Sequence, residues 1–219
     1  MNLSEVKEIS IIDDSILELI ETHISLLLLT KQYVYKIKKT VKFSFADFST
    51  LEKRKYLCEE ELRLNKRLTK GMYLEVVPIR KFDDKFFIGK KDGEIVDYAL
   101  KMKRIESSKQ MHLLLEKNKV SLKDIEQIVE VLVPFHQAAK VINRPFDMLE
   151  MKKDFNDIES VQPFVKKELG DEYEKIIKTA VQFSNGFLAS KSVFFNKRIQ
   201  NGMIREVHGD RPRKPYRRL

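Results

Sequence analysis

Val6, Ile9, Ile12, Ile16, Leu17, Leu19 and Ile20 recur at spacings that suit one face of an amphipathic helix, so a packing helix is predicted over Val6 to Ile20. The pattern then changes. Ile24 to Leu29 and Tyr33 to Lys39 are rich in branched and aromatic residues and read as two strands joined by the short polar Thr30-Lys31-Gln32, a hairpin. In the second strand Lys36 and Lys38 alternate with Tyr35 and Ile37, which puts both lysines on one face. Ser49-Thr50-Leu51-Glu52 has the form of a capping box, and a long helix is expected to start there, pass through Tyr56, Leu57, Leu62, Leu64 and Leu68, and stop at Gly71.

Tyr73 to Arg80, Lys85 to Ile88 and Glu94 to Lys103 are three further strand candidates, with Asp92-Gly93 as the turn between the last two. After Ile105 the chain reads as helices over Gln110 to Asn118, Ser121 to Ile142, Phe146 to Glu159, Asp171 to Leu188 and Lys191 to Gln200. A strand-rich first part and a helix-rich second part imply an α+β protein of two lobes, hinged near Lys103-Arg104-Ile105, and not a parallel doubly wound sheet.

Composition narrows the function classes. The most apolar stretch, Ile24 to Leu29, is far shorter than the roughly 20 residues of a membrane helix. Glu5, Lys7, Glu8, Asp13 and Asp14 interrupt the apolar residues of the N-terminal segment, a pattern unlike a secretory signal, so a cytoplasmic protein with no membrane partner is expected. The single cysteine, Cys58, makes no internal disulfide and reads as a small buried hydrophobe; no Cys or His cluster has zinc-ligand spacing. A net charge of +9 suggests nucleic acid, but Arg211, Arg213, Lys214, Arg217 and Arg218 supply five of those charges and leave +4 for the rest. No nucleic-acid module is recognisable, and a solvated, disordered basic tail over 211–219 is the expected reading.

The residues that could carry chemistry lie in three places. A strand presenting a lysine, followed by a helix bearing acids, is the arrangement in which kinase-like folds hold a nucleotide, the lysine on the α- and β-phosphates and a helix glutamate fixing the lysine. Lys36 and Glu61 are the candidates, with Lys38 and Glu60 as alternatives. The third place is Val207-His208-Gly209-Asp210, where an apolar segment leads into a His-Gly-Asp turn. Kinases use an aspartate in such a turn to orient the substrate hydroxyl, which makes Asp210, with His208 beside it, the catalytic candidate. His136, on an apolar helix beside Phe135, reads as a packed residue and not as a metal ligand.

Several blocks resemble bacterial aminoglycoside-phosphotransferase-like proteins, including those described as bifunctional phosphotransferase/ATP-binding proteins. They are Glu21-Thr22-His23-Ile24-Ser25, Val34-Tyr35-Lys36-Ile37-Lys38-Lys39, Asp47 to Arg54 and Cys58-Glu59-Glu60-Glu61-Leu62-Arg63-Leu64-Asn65. Tyr98 to Arg104 resembles the hinge strand of that family, Pro134 to Ala139 its long second-lobe helix, and Ile204 to Asp210 the approach to its catalytic loop. The resemblance implies a protein-kinase-like fold, with an antiparallel β lobe and one long helix followed by an incomplete α-helical lobe. It divides the chain into a nucleotide-binding lobe at 1–104, a partial helical lobe at 105–210 and the tail at 211–219. It also implies ATP and magnesium as cofactors, adenine contact along Tyr98, Leu100 and Met102, and transfer of the γ-phosphoryl group to a hydroxyl of a small molecule.

The resemblance stops at Asp210. Kinase catalytic loops continue Asp-x-x-x-x-Asn, and the asparagine binds magnesium. The fifth residue after Asp210 is Pro215, which has no side-chain oxygen, and a later metal-binding aspartate has no counterpart. Back-translating Arg213-Lys214-Pro215 and reading one nucleotide later allows glutamate at the first junction and asparagine or serine at the second, so a reading-frame slip is the expectation that would account for the break. Two other readings stay open: a catalytically inactive remnant that binds nucleotide or serves as an interaction module, and a basic binding protein that uses its tail.

Overall fold

The computed structural model describes residues 1–43, 46–106, 108, 110–143, 145 and 147–207. They form an α+β protein that divides into two compact units, Met1–Gln137 and Ala138–Val207.

The first unit is built on seven strands: β1 (Ile9–Ile11), β2 (Glu18–Glu21), β3 (Ser25–Leu29), β4 (Tyr33–Lys38), β5 (Tyr73–Phe82), β6 (Lys85–Ile88) and β7 (Glu94–Lys103). They make one sheet in the order β1-β6-β5-β7-β4-β3-β2. Neighbours pair antiparallel except β1 on β6, which is parallel, so the expected antiparallel lobe is in fact a mixed sheet. The cause lies in the N-terminal segment, where the helix expected over Val6 to Ile20 is replaced by three short elements. Helix α1 (Leu3–Lys7) is one turn closed by a capping box, with the Asn2 side chain accepting from the Glu5 amide and Glu5 accepting from the Asn2 amide. Then Ile9 and Ile11 are buried on either side of exposed Ser10, a period of two, and Asp13 takes a positive φ of 63° that turns the chain away from helix. Apolar spacing alone could not separate these cases, because the β-branched run satisfies the helical template as well as the strand template.

The β3–β4 hairpin forms where its alternation predicts. Thr30 closes it, its hydroxyl donating to the Tyr33 carbonyl and accepting from the Tyr33 amide. β5 and β6 are joined by Asp83-Asp84, both with positive φ, as a two-residue hairpin turn with right-handed strand twist requires. The β6–β7 turn contains Gly93 at φ 100°, and a Cβ there would fall on the Lys81 carbonyl oxygen. Gly93→Ala is therefore expected to cost about 2 kcal/mol or more, because left-handed strain and a backbone clash act together. A urea unfolding curve that shifts by much less would contradict this.

Helix α2 (Leu51–Lys66) crosses the sheet against β5 and β7. Its cap is Thr50, whose hydroxyl accepts from the Lys53 amide at 3.3 Å. Lys53, not Glu52, stands at the third helical position, so the expected reciprocal box is only half made, and the helix ends at Arg67, before Gly71. One sheet face packs Leu26, Leu28, Tyr35, Ile37, Ile79 and Ala99 against Val6, Ile9, Ile11 and Ile88. A smaller cluster joins Phe48, Ala46 and Leu57 with Ile24 and Val41. Cys58 is fully buried on α2, and burial pushes its thiol up to about 12, as expected for an inert packing residue. Helices α3 (Met111–Glu116) and α4 (Leu122–Ala138) follow the sheet. α4 stops short of the expected Ile142, because Val141 bridges to Arg205 and the Ile142 amide donates to the Ile204 carbonyl.

The second unit is helical: α5 (Met148–Phe155) running into a 3-10 turn (Asn156–Val161), α6 (Gln162–Leu169), α7 (Asp171–Ser190) and α8 (Ser192–Gln200). Asp147 caps α5 by accepting from the Leu149 and Glu150 amides. α6 lies outside the expected helices, although Pro163 in its first turn and Gly170 at its end bracket it in the usual way. Glu174 on α7 ties these helices together, accepting from Gln162 of α6 and pairing with Lys166 and Lys178. Among the described residues no helix is long and apolar enough to cross a membrane.

Candidate functional site

β4 and α2 bring the lysine–glutamate candidates together. Lys36 Nζ lies 2.8 Å from Glu61 Oε1, and Lys38 Nζ lies 2.6 Å from Glu61 Oε2. The strand's period of two puts both lysines on one face, and α2 lays Glu61 between them, so one carboxylate bridges two ammonium groups. The choice between Lys36 and Lys38 is thus not exclusive. Glu60 points elsewhere, paired with Arg63 one turn along at 2.9 Å.

The two lysines differ in surroundings. Lys38 is buried, with 6% of its side chain exposed, and its ammonium sits 5.2 Å from the centre of the Phe48 ring. Lys36 is 27% exposed and opens towards solvent. Burial alone would raise the Glu61 carboxyl, but the charges of Lys38 and then Lys36, together with their hydrogen bonds, outweigh it and hold Glu61 below its ordinary value of 4.5. The Asn65 side-chain Nδ2 donates to the Glu61 carbonyl at 2.8 Å, tightening the helix turn that carries the carboxylate. Tyr73, at the start of β5, is the neighbour that sequence reasoning missed. Burial raises its phenol first, and the Glu61 charge raises it further.

Tyr98, Leu100 and Met102 alternate on β7 and share one face. Leu100 stands opposite Lys36 in the ladder and is fully buried, while Met102 stands opposite Val34 and Tyr73 and is half-buried. Tyr98 is also half-buried, its ring 5.5 Å from the Lys55 ammonium of α2. β7 runs between β4 and β5, so both edges of its backbone are taken up by the sheet and its exposed side chains are what remains for contact. His208 and Asp210 lie outside the described residues.

A second charged cluster went unread in the sequence. Asp97 of β7 is fully buried, and its carboxylate accepts from Arg54 Nε at 2.9 Å, from the Met1 ammonium at 2.8 Å and from the Tyr98 amide at 2.9 Å. Arg54 also donates to the Phe48 carbonyl at 3.0 Å. The available signal was an aspartate inside the apolar run Ile95 to Leu100, between Val96 and Tyr98, where an unpaired carboxylate would be too costly to bury.

No family model matches the chain, and no solved structure matches it. It is similar to a protein of Mycobacterium bovis and to proteins of two strains of Mycobacterium tuberculosis, all three described as uncharacterized. Each is 24% identical over 203 residues, which cover 90% of this chain. The chain spans about 38% of the length of these relatives.

Proposed function

We propose that this chain carries the nucleotide-binding lobe of a cytoplasmic, protein-kinase-like phosphotransferase of the aminoglycoside-phosphotransferase-like type, which takes ATP with magnesium and directs it to a hydroxyl of a small molecule. The observation that carries the reading is Glu61 held between Lys36 and Lys38 across the contact of β4 with α2. A carboxylate on a helix that fixes a strand lysine is the device by which such folds position an ammonium on nucleotide phosphates. The residues fit the ligand: one negative and two positive charges leave the cluster net positive, and the Lys36 ammonium has N–H donors beyond the one spent on Glu61.

ATP would supply the phosphoryl group to be transferred. Lys36 binds its phosphates, Glu61 holds Lys36 in place, and the half-buried side chains of Tyr98 and Met102 offer apolar contact to the base. Asp210, preceded by His208, accepts the hydrogen bond of the acceptor hydroxyl. Among the described residues no three His, Cys, Asp or Glu side chains gather as a protein-held cation would need, and no step is routed through the metal.

Titration calorimetry with ATP and magnesium tests the reading. Lys36→Ala is expected to weaken binding about tenfold or more, the effect of losing a hydrogen bond to a charged group. No ATP binding by the parent chain, or equal binding by the variant, would sink it. A second reading, a nucleotide-binding remnant without catalysis, is favoured by Pro215 standing where the metal-binding asparagine belongs. Binding without ATP turnover would select that reading.

A further inference from the structure

We infer that Lys38 is the positioning residue of the candidate phosphate site: its ammonium offsets the Glu61 charge, so that Lys36 is held by hydrogen bond yet presents its positive charge to a phosphate. This rests on the reading of Lys36 as the phosphate contact.

An isolated lysine–glutamate pair has no net charge. A phosphate approaching its lysine meets the carboxylate's repulsion as well as the ammonium's attraction, both within a few ångströms. Here the second Glu61 oxygen is occupied by Lys38 at 2.6 Å, and the cluster as a whole is positive. The surroundings fix which lysine does which task. Lys38 is nearly enclosed, in contact with Glu61 and lying over the Phe48 ring, and has little surface left for a ligand. Lys36 holds the more exposed end of the same bridge. Phe48 is itself fully buried and its carbonyl is gripped by Arg54, so the floor beneath Lys38 is rigid. A side chain in that place cannot swing out to a nucleotide; its effect passes through Glu61.

The test compares ATP with adenosine, which carries the base and ribose but no phosphate. Lys38→Met keeps the apolar stem and removes the charge, and it is expected to weaken ATP binding about tenfold while leaving adenosine binding within about twofold. Lys38→Arg should restore ATP affinity to within about threefold of the parent, because charge and not ammonium geometry is what Glu61 needs. In Lys38→Met/Glu61→Gln the uncancelled carboxylate is gone, and ATP should bind more tightly than to Lys38→Met alone. If Lys38→Met does not fold, Lys38→Gln, which keeps a donor for Glu61, carries the same comparison.

Unchanged ATP affinity in the neutral variant overturns the inference. So does a parallel loss of ATP and adenosine, the mark of a merely structural lysine. The underlying reading fails separately: if Lys36→Ala binds ATP like the parent, the site itself is wrong, whereas loss in Lys36→Ala with none in Lys38→Met removes only the role given to Lys38.

Discussion

Asp97→Ala is expected to destabilise the first unit by about 3–5 kcal/mol, the cost of removing one partner from a buried charge cluster. The carboxylate has no exposed surface and satisfies three donors at once: Arg54 Nε, the Met1 ammonium and the Tyr98 amide. Truncation leaves the Arg54 guanidinium and the ammonium buried with no counter-charge. That residual pair of cations, more than the lost hydrogen bonds, makes the penalty large. At roughly 2–4 °C per kcal/mol for a chain of this size, the unfolding midpoint should fall by about 10 °C.

Asp97→Asn separates charge from shape, since the amide still accepts one hydrogen bond, and it should cost less than the alanine. Replacing both Asp97 and Arg54 by apolar residues should recover part of the loss, because the orphaned charge goes with its partner. Urea unfolding of the four proteins checks the series. A cost below about 1 kcal/mol for Asp97→Ala would show that water reaches the cluster and solvates it.

The elements legible in the sequence were those whose pattern is local. β3, β4, β6 and β7 alternate or carry branched residues between turn signals, and each lies within a residue of its expected limits. Lys36, Lys38 and Glu61 were legible for the same reason: strand period and helix position are local, and the sheet needed only to bring the two elements together. What the sequence hid depends on distant partners. Ile9 and Ile11 become a strand because β6, more than seventy residues on, offers a free edge for parallel pairing. Asp97 is tolerable in an apolar strand only because Arg54 arrives from α2 and the Met1 ammonium from the N-terminal end, none of them a sequence neighbour. α4 ends early because Val141 is drawn to Arg205 across a separation of more than sixty residues.

Glu61→Gln is expected to cost about 2–4 kcal/mol and to remove an acid-sensitive part of the stability profile. The carboxylate is mostly buried, and without its charge Lys36 and Lys38 are left as neighbouring cations with nothing between them but a neutral amide. The acid limb follows from the direction of the shift. Glu61 titrates below its ordinary 4.5 in the folded protein, because the attraction of Lys38 and Lys36 outweighs the burial that opposes it. An unfolded chain therefore binds the proton more readily, and the stabilisation from Glu61 is fully present above that ordinary value. It is lost as the pH falls through the lower, folded value. The parent protein should lose stability over that interval, and Glu61→Gln, already without the charge, should lose less. Urea midpoints measured at neutral pH and at steps below pH 4.5 give both quantities, and parallel pH profiles would refute the assignment. The variant also separates folding from ligand attraction. The amide oxygen that Glu61→Gln leaves in place can still accept from Lys36 and hold it, while both ammonium charges go uncancelled, so ATP should raise the unfolding midpoint of the variant by no less than that of the parent. A site in which the carboxylate itself met the nucleotide would behave oppositely, with the stabilisation by ATP disappearing along with the charge.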